Sequence, residues 1–158
     1  MEGEYDMKKL KYLLCAFALA LLVGCSKGYK EGEYTGTAID SYGGQENTAS
    51  AKVTINSEGE IVDVYLDTTY TYTNDEEISV STTKKTLGDD YGMYNHPYGS
   101  TIGEWDTQVE ALEQAVIDNQ GIDFLNLDDE GKTDAVSGCT IRIDALYEAL
   151  ENALEQAR

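Results

Sequence analysis

The clearest period-two signal lies in residues 51–66, where Ala51, Val53 and Ile55 alternate with polar neighbours and Val62, Val64 and Leu66 do the same. Between the two runs, Ser57-Glu58-Gly59-Glu60 supplies a glycine for positive φ, so the pair is expected to form an antiparallel hairpin. Residues 34–40 alternate more weakly and add a strand in front. Residues 65–73, rich in threonine and tyrosine, suit a strand or an exposed edge, and residues 80–83 suit one more short strand. From Ile102 the period changes: Ile102, Trp105, Val109, Leu112 and Val116 step 3, 4, 3, 4 along one helical face. Ser100 or Thr101 is placed to cap that helix and Gly121 to end it. Ile143, Leu146, Leu150, Ala153 and Ala157 repeat the same steps, predicting a terminal amphipathic helix. Strands followed by two such helices read as α+β, with both helices packed on one face of an antiparallel sheet in a single domain.

The first residues follow another rule. Lys8, Lys9 and Lys11 precede an apolar run at 13–23, shorter than the roughly 20 residues that span a bilayer, which is the pattern of a signal peptide. The run closes on Leu22-Val23-Gly24-Cys25, and this junction resembles the lipobox of bacterial lipoproteins. The resemblance implies removal of residues 1–24, lipidation of Cys25, and a protein held on the extracytoplasmic face of the cell membrane. Glu2, Glu4 and Asp6 stand where such a leader should be cationic, which points to Met7 as the translation start. Residues 25–32 then form a lipidated cysteine and a short polar tether, and residues 33–158 the folded domain.

A chain of 158 residues allows one domain of ordinary size. Its 30 acids against 11 bases give a net charge of −19, which repels a phosphate backbone and excludes nucleic acid as a partner. Loss of the leader removes three acids and three bases, so the charge is unchanged. On the lipobox resemblance Cys15 is expected to leave with the leader and Cys25 to carry lipid, which implies that Cys139 has no intramolecular disulfide partner and is either buried or part of a site.

Several motifs fail on spacing. Gly131-Lys132-Thr133 has the end of a P-loop, but the glycine required five residues earlier is Asn126. Asn126, Asp128 and Glu130 open like an EF-hand, yet its closing glutamate position holds Ser137. His96, the only histidine, sits in a glycine- and tyrosine-rich loop and offers little for a zinc or nucleophilic site. The informative stretch is Asp134-Ala135-Val136-Ser137-Gly138-Cys139-Thr140, just before the last helix. Small side chains there let backbone N–H groups approach a ligand, and a helix N-terminus favours an anion such as phosphate. The alternative is a plain N-cap made by Thr140 or Ser137.

The same stretch resembles the flavinylation motif Asp-x-x-Ser/Thr-Gly-Ala-Thr of the FMN-binding domain family, with Cys139 in place of the alanine. That family includes the flavin subunits of sodium-pumping NADH:quinone reductase and Rnf complexes and the flavin lipoproteins of extracellular electron transfer. The likeness extends over about residues 30–157, through Gly32-Glu33-Tyr34-Thr35-Gly36, Val53-Thr54-Ile55 and Gly59-Glu60-Ile61-Val62-Asp63-Val64. Lys85-Thr86-Leu87-Gly88 and Tyr91-Gly92-Met93 resemble the family's Glu-Thr-Pro-Gly-x-Gly flavin loop, without its glutamate and proline. The resemblance implies FMN joined by a phosphoester to Thr140, installed by an FMN transferase that uses FAD and a divalent metal. It further implies flavin contacts from Asp134, Ser137, Gly138, Cys139, Thr86, Leu87, Gly88 and Met93. The implied function is electron carriage from a membrane quinol or reductase to an extracellular or membrane acceptor, not turnover of a substrate. The alternative is a flavin-free acidic surface lipoprotein serving as an interaction module.

Overall fold

The computed structural model describes residues 28–158, without 95 and 98. The leader 1–24 and Cys25 therefore lie outside the described residues. Strands β1 (Gly32–Asp40), β2 (Asn47–Ile55), β3 (Ile61–Thr73) and β4 (Ser79–Thr83) form one antiparallel sheet in sequence order. The helices are α1 (Lys84–Leu87), α2 (Trp105–Asn119) and α3 (Asp144–Gln156). This is the α+β domain that the hydrophobic pattern predicts; α1 is a single turn, too short to leave a period in the sequence.

In β2 the alternation is unbroken: Asn47, Ala49, Ala51, Val53 and Ile55 are all buried. β3 departs from the expected face. Thr54 pairs with Asp63 and Ile55 with Ile61, which leaves Val62 as an extra residue in a bulge. Val62 is thus 48% exposed, and Ile61 takes the inward place beside Val64 and Leu66. The segment expected as two strands is one, pairing with β2 through its first half and with β4 from Thr69 to Thr73. The β2–β3 hairpin closes as expected, with Gly59 at φ 77° and the Asn56 carboxamide accepting from the Glu58 and Glu60 N–H groups.

Helix α3 lies on β1 and β2 and buries Leu146, Ala149, Leu150, Ala153 and Leu154, while Ile143 and Ala157 extend the stripe at either end. Burying one such leucine contributes about 1.5–3 kcal/mol. Contact with β1 is close because Gly36 has no side chain: a Cβ there would fall 2.1 Å from the Ala149 carbonyl oxygen. Asn152 and Gln156 donate side-chain hydrogen bonds to the carbonyls of Thr37 and Thr35, so the helix covers the open edge of β1.

Helix α2 packs on β3. It begins at Trp105, not Ile102, which is 52% exposed and precedes the helix. Glu104 holds the N-cap position in place of Ser100 or Thr101, because Gly103 separates the Ser100 turn from the helix and Ser100 Oγ accepts instead from the Ile102 and Gly103 N–H groups. At the other end Gln120 takes the left-handed position (φ 54°) before Gly121, and its carboxamide bridges both backbone groups of Ile61. The expected tether is also shorter. Tyr29 is buried in the core, and the Lys30 N–H donates to the Ala157 carbonyl at 2.7 Å.

Candidate functional site

The segment following β4 and the loop before α3 meet around a cavity of about 630 Å³. Trp105, Tyr91, Met93, Ile141 and Leu146 give it apolar and aromatic walls, and Thr68, Ser100 and Thr140 line it with polar groups. In a chain of charge −19, the lining carries three cations (Lys84, Lys132, Arg142) for three acids (Asp40, Glu130, Asp144).

Thr140 lies exposed at this cavity. Its backbone N–H and its hydroxyl both donate to Gln108 Oε1, at 2.9 and 3.1 Å. Gln108 is fully buried on α2, and its amide nitrogen donates to Ser100 Oγ at 2.8 Å and to the Gly103 carbonyl at 3.0 Å. One buried carboxamide thus locks the threonine to the turn ahead of α2. The N-cap reading does not hold: α3 has Ile143 at its N-cap position with no side-chain cap, three residues beyond Thr140. The positive end of α3 is taken by Asp144, whose carboxylate accepts from the Arg142 guanidinium and the Ala145 N–H. These contacts hold the Asp144 carboxyl below its usual value, Arg142 having the largest effect.

The rest of the motif builds the loop. Val136 and Cys139 are buried, and burial pushes the Cys139 thiol up. Gly138 takes φ 88° in the turn, while Asp134 and Ser137 face solvent. The Asp128–Lys132 stretch is a tight turn around the Asp128 carboxylate, docked on α3 through the Ile143 N–H to Gly131 carbonyl bond of 2.7 Å.

On the opposite wall, Thr86, Leu87 and Gly88 stand back from the cavity, in α1 and the turn that follows. Thr86 is engaged with Thr83, whose hydroxyl accepts from its N–H and meets its Oγ1 at 2.9 Å. From this region the cavity receives Lys84, Tyr91 and Met93 instead. The buried Glu104 carboxylate fixes Met93 by accepting from the Met93 and Tyr94 N–H groups at 2.9 and 2.6 Å. Lys84 and Lys85 divide between two surroundings. The Lys85 ammonium meets Glu113 at 2.6 Å, and Glu113 also accepts the Leu66 N–H. The Lys84 ammonium lies 5.2 Å from the Trp105 ring centre, 5.6 Å from that of Tyr91 and 3.6 Å from Asp40. Burial lowers the Lys84 pKa, against the opposing pull of Asp40.

Of the expected flavin residues, the cavity lining includes Thr140 and Met93, with Gly138 and Cys139 shaping the loop that carries Thr140. Lys84, Trp105 and Gln108 emerge only from the fold. Gln108 had a legible trace, a carboxamide on the buried face between Trp105 and Val109.

Residues 44–155 match the FMN-binding domain family. The chain belongs to that family. The match takes in β2 to β4, nearly all of α3 and every cavity-lining residue but Asp40. No curated protein and no solved structure matches the chain. As a member of this family the protein binds flavin, with FMN as its cofactor. The cavity suits that group: its volume lies within the usual 300–1,000 Å³ range for cofactor sites, aromatic walls match a planar ring, and cations match a phosphate.

Proposed function

We propose that this protein is a lipid-anchored electron carrier on the extracytoplasmic face of a bacterial membrane, with FMN attached covalently through Thr140. The observation that carries the reading is Thr140, an exposed residue in the lining of a cavity of cofactor size, within the Asp134-x-x-Ser137-Gly138-x-Thr140 motif. Attachment forms a bond from Thr140 Oγ1 to the phosphorus of the FMN half of FAD. The diphosphate bond breaks, AMP leaves, and the hydroxyl proton passes to solvent. An FMN transferase with its divalent metal supplies that reaction, and Asp134, exposed six residues before Thr140, is available to the incoming enzyme.

When bound, the isoalloxazine supplies the redox chemistry. The chain's own residues bind and orient. Gln108 holds the attachment residue, Glu104 fixes the Met93 wall, and Trp105 and Tyr91 offer ring faces. Lys132 and Arg142 place positive charge near Thr140. Electrons arrive from a membrane quinol or reductase and leave to an extracellular or membrane acceptor. With Tyr29 docked in the core, only residues 26–28 separate Cys25 from the domain, a span of at most roughly 10 Å, which keeps the flavin near its membrane donor.

Two measurements test this reading. The full chain co-expressed with an FMN transferase is expected to show flavin absorbance that persists after acid precipitation, and Cys25→Ala is expected to lose fatty-acid labelling and membrane association. A colourless wild-type protein beside an active transferase would return the chain to a flavin-free binding role.

A further inference from the structure

The Lys84 ammonium lies over two aromatic rings of the cavity wall, Trp105 and Tyr91. Only 12% of its side chain is exposed, against 44% for Lys132 and 43% for Arg142. Its acidic neighbour Asp40 is at 3.6 Å, longer than a hydrogen bond, and Trp105 and Tyr91 lie within cation–π reach. The position is imposed by the fold: Lys85, one residue on, is tied to Glu113, and its N–H donates to the buried Asp67 carboxylate at 3.1 Å. With α1 pinned on that side, Lys84 falls into the cavity. A buried cation is costly unless its charge is matched, and burial already lowers its pKa here. Asp40 beside it and the more distant charge of Asp67 offset that burial only in part, so the ammonium keeps capacity for negative charge on a further partner.

We infer that Lys84 sets the redox preference of the cavity, its ammonium stabilising the negative charge that the flavin ring gains on two-electron reduction. The inference rests on the proposed flavin carriage and adds the residue that tunes it. In the reduction the ring takes two electrons from the reductant and one proton from solvent, leaving one negative charge; dithionite, the reductant in the test, is oxidised to sulfite. A cation desolvated against low-dielectric ring faces interacts with that charge far more strongly than an exposed one. The oxidised ring is neutral and gains little, so the effect is differential.

The test is the midpoint potential of the flavin-loaded full-length protein at neutral pH, where the reduced ring keeps its negative charge, with flavin content and thermal melting measured in parallel. Lys84→Met and Lys84→Gln are expected to weaken reduced-state binding relative to oxidised-state binding about tenfold, which lowers the two-electron potential by about 30 mV. Lys84→Arg, which keeps the charge, is expected to stay within about threefold of wild type. Either neutral variant that folds and loads decides the matter, and an unchanged potential in it overturns the inference while leaving flavin carriage intact. If both neutral variants fold without flavin while Lys84→Arg loads, the residue serves loading and the redox assignment falls. A wild-type chain that never takes flavin overturns both readings.

Discussion

The two long helices cover the same sheet by different means. α3 buries Ala145, Leu146, Ala149, Leu150, Ala153 and Leu154, without a polar side chain among them. α2 buries Trp105, Val109, Leu112 and Val116, but also Gln108 and Glu113. On the α3 side the interface is a packing seam, tight enough that Gly36 admits helix backbone. On the α2 side each buried polar group has partners: Gln108 holds Thr140 and Glu113 holds Lys85. Among the described residues no buried side-chain nitrogen or oxygen lacks a hydrogen bond. Satisfied buried networks fix geometry more than they add net stability. The first seam is apolar packing; the second positions groups at and beside the cavity.

Mutations on the two sides should therefore fail differently. Leu150→Ala leaves a hole in a fully buried seam and is expected to cost about 2–5 kcal/mol in denaturant unfolding. Flavin loading of the fraction that remains folded should be unaffected. A loss under about 0.5 kcal/mol would mean that α3 is not seated on the sheet as described. Gln108→Leu, similar in size, strips the acceptor from the Thr140 N–H and is expected to cost about 1–3 kcal/mol. Here loading should fall by more than the stability loss explains. Stability and loading falling in step would reduce Gln108 to an ordinary core residue.

The pH dependence separates the sides with opposite signs. Asp144 is held below its usual 3.8, so its native form binds a proton less readily than the unfolded chain. Its stabilisation is complete above 3.8 and is lost as pH falls through the lower native value. Asp144→Asn is thus expected to cost about 0.3–1 kcal/mol near neutral pH, reduced by solvent screening, and nothing at the acid end. Glu113 is held above 4.5, chiefly by burial, so stability falls as pH rises from 4.5 through its native value. Glu113→Gln should flatten that slope, and urea titrations across pH read both effects.

The α3 side was legible in sequence because one residue type in one period decides it: the 143–157 stripe is buried throughout. The α2 side was legible only in its apolar positions. Val62 was misplaced because a bulge changes the count of residues, not their hydrophobicity. Ile102 fits the helical period and lies outside the helix because Gly103 and Glu104 set the start. At the site, the motif singled out Thr140, a residue of the cavity lining, from a local pattern. Lys84 was silent, since its role depends on α1 being pinned by a pair formed across the fold.

The account turns on Thr140, and a denaturing gel tests it directly, because a phosphoester survives unfolding whereas flavin held by packing does not. Wild-type protein co-expressed with an FMN transferase is expected to run as a fluorescent band, with a mass increase of one FMN less water. Thr140→Ala is expected to lose both while melting close to wild type. A fluorescent Thr140→Ala band would contradict the attachment site, and with it the reading of the cavity built around that hydroxyl.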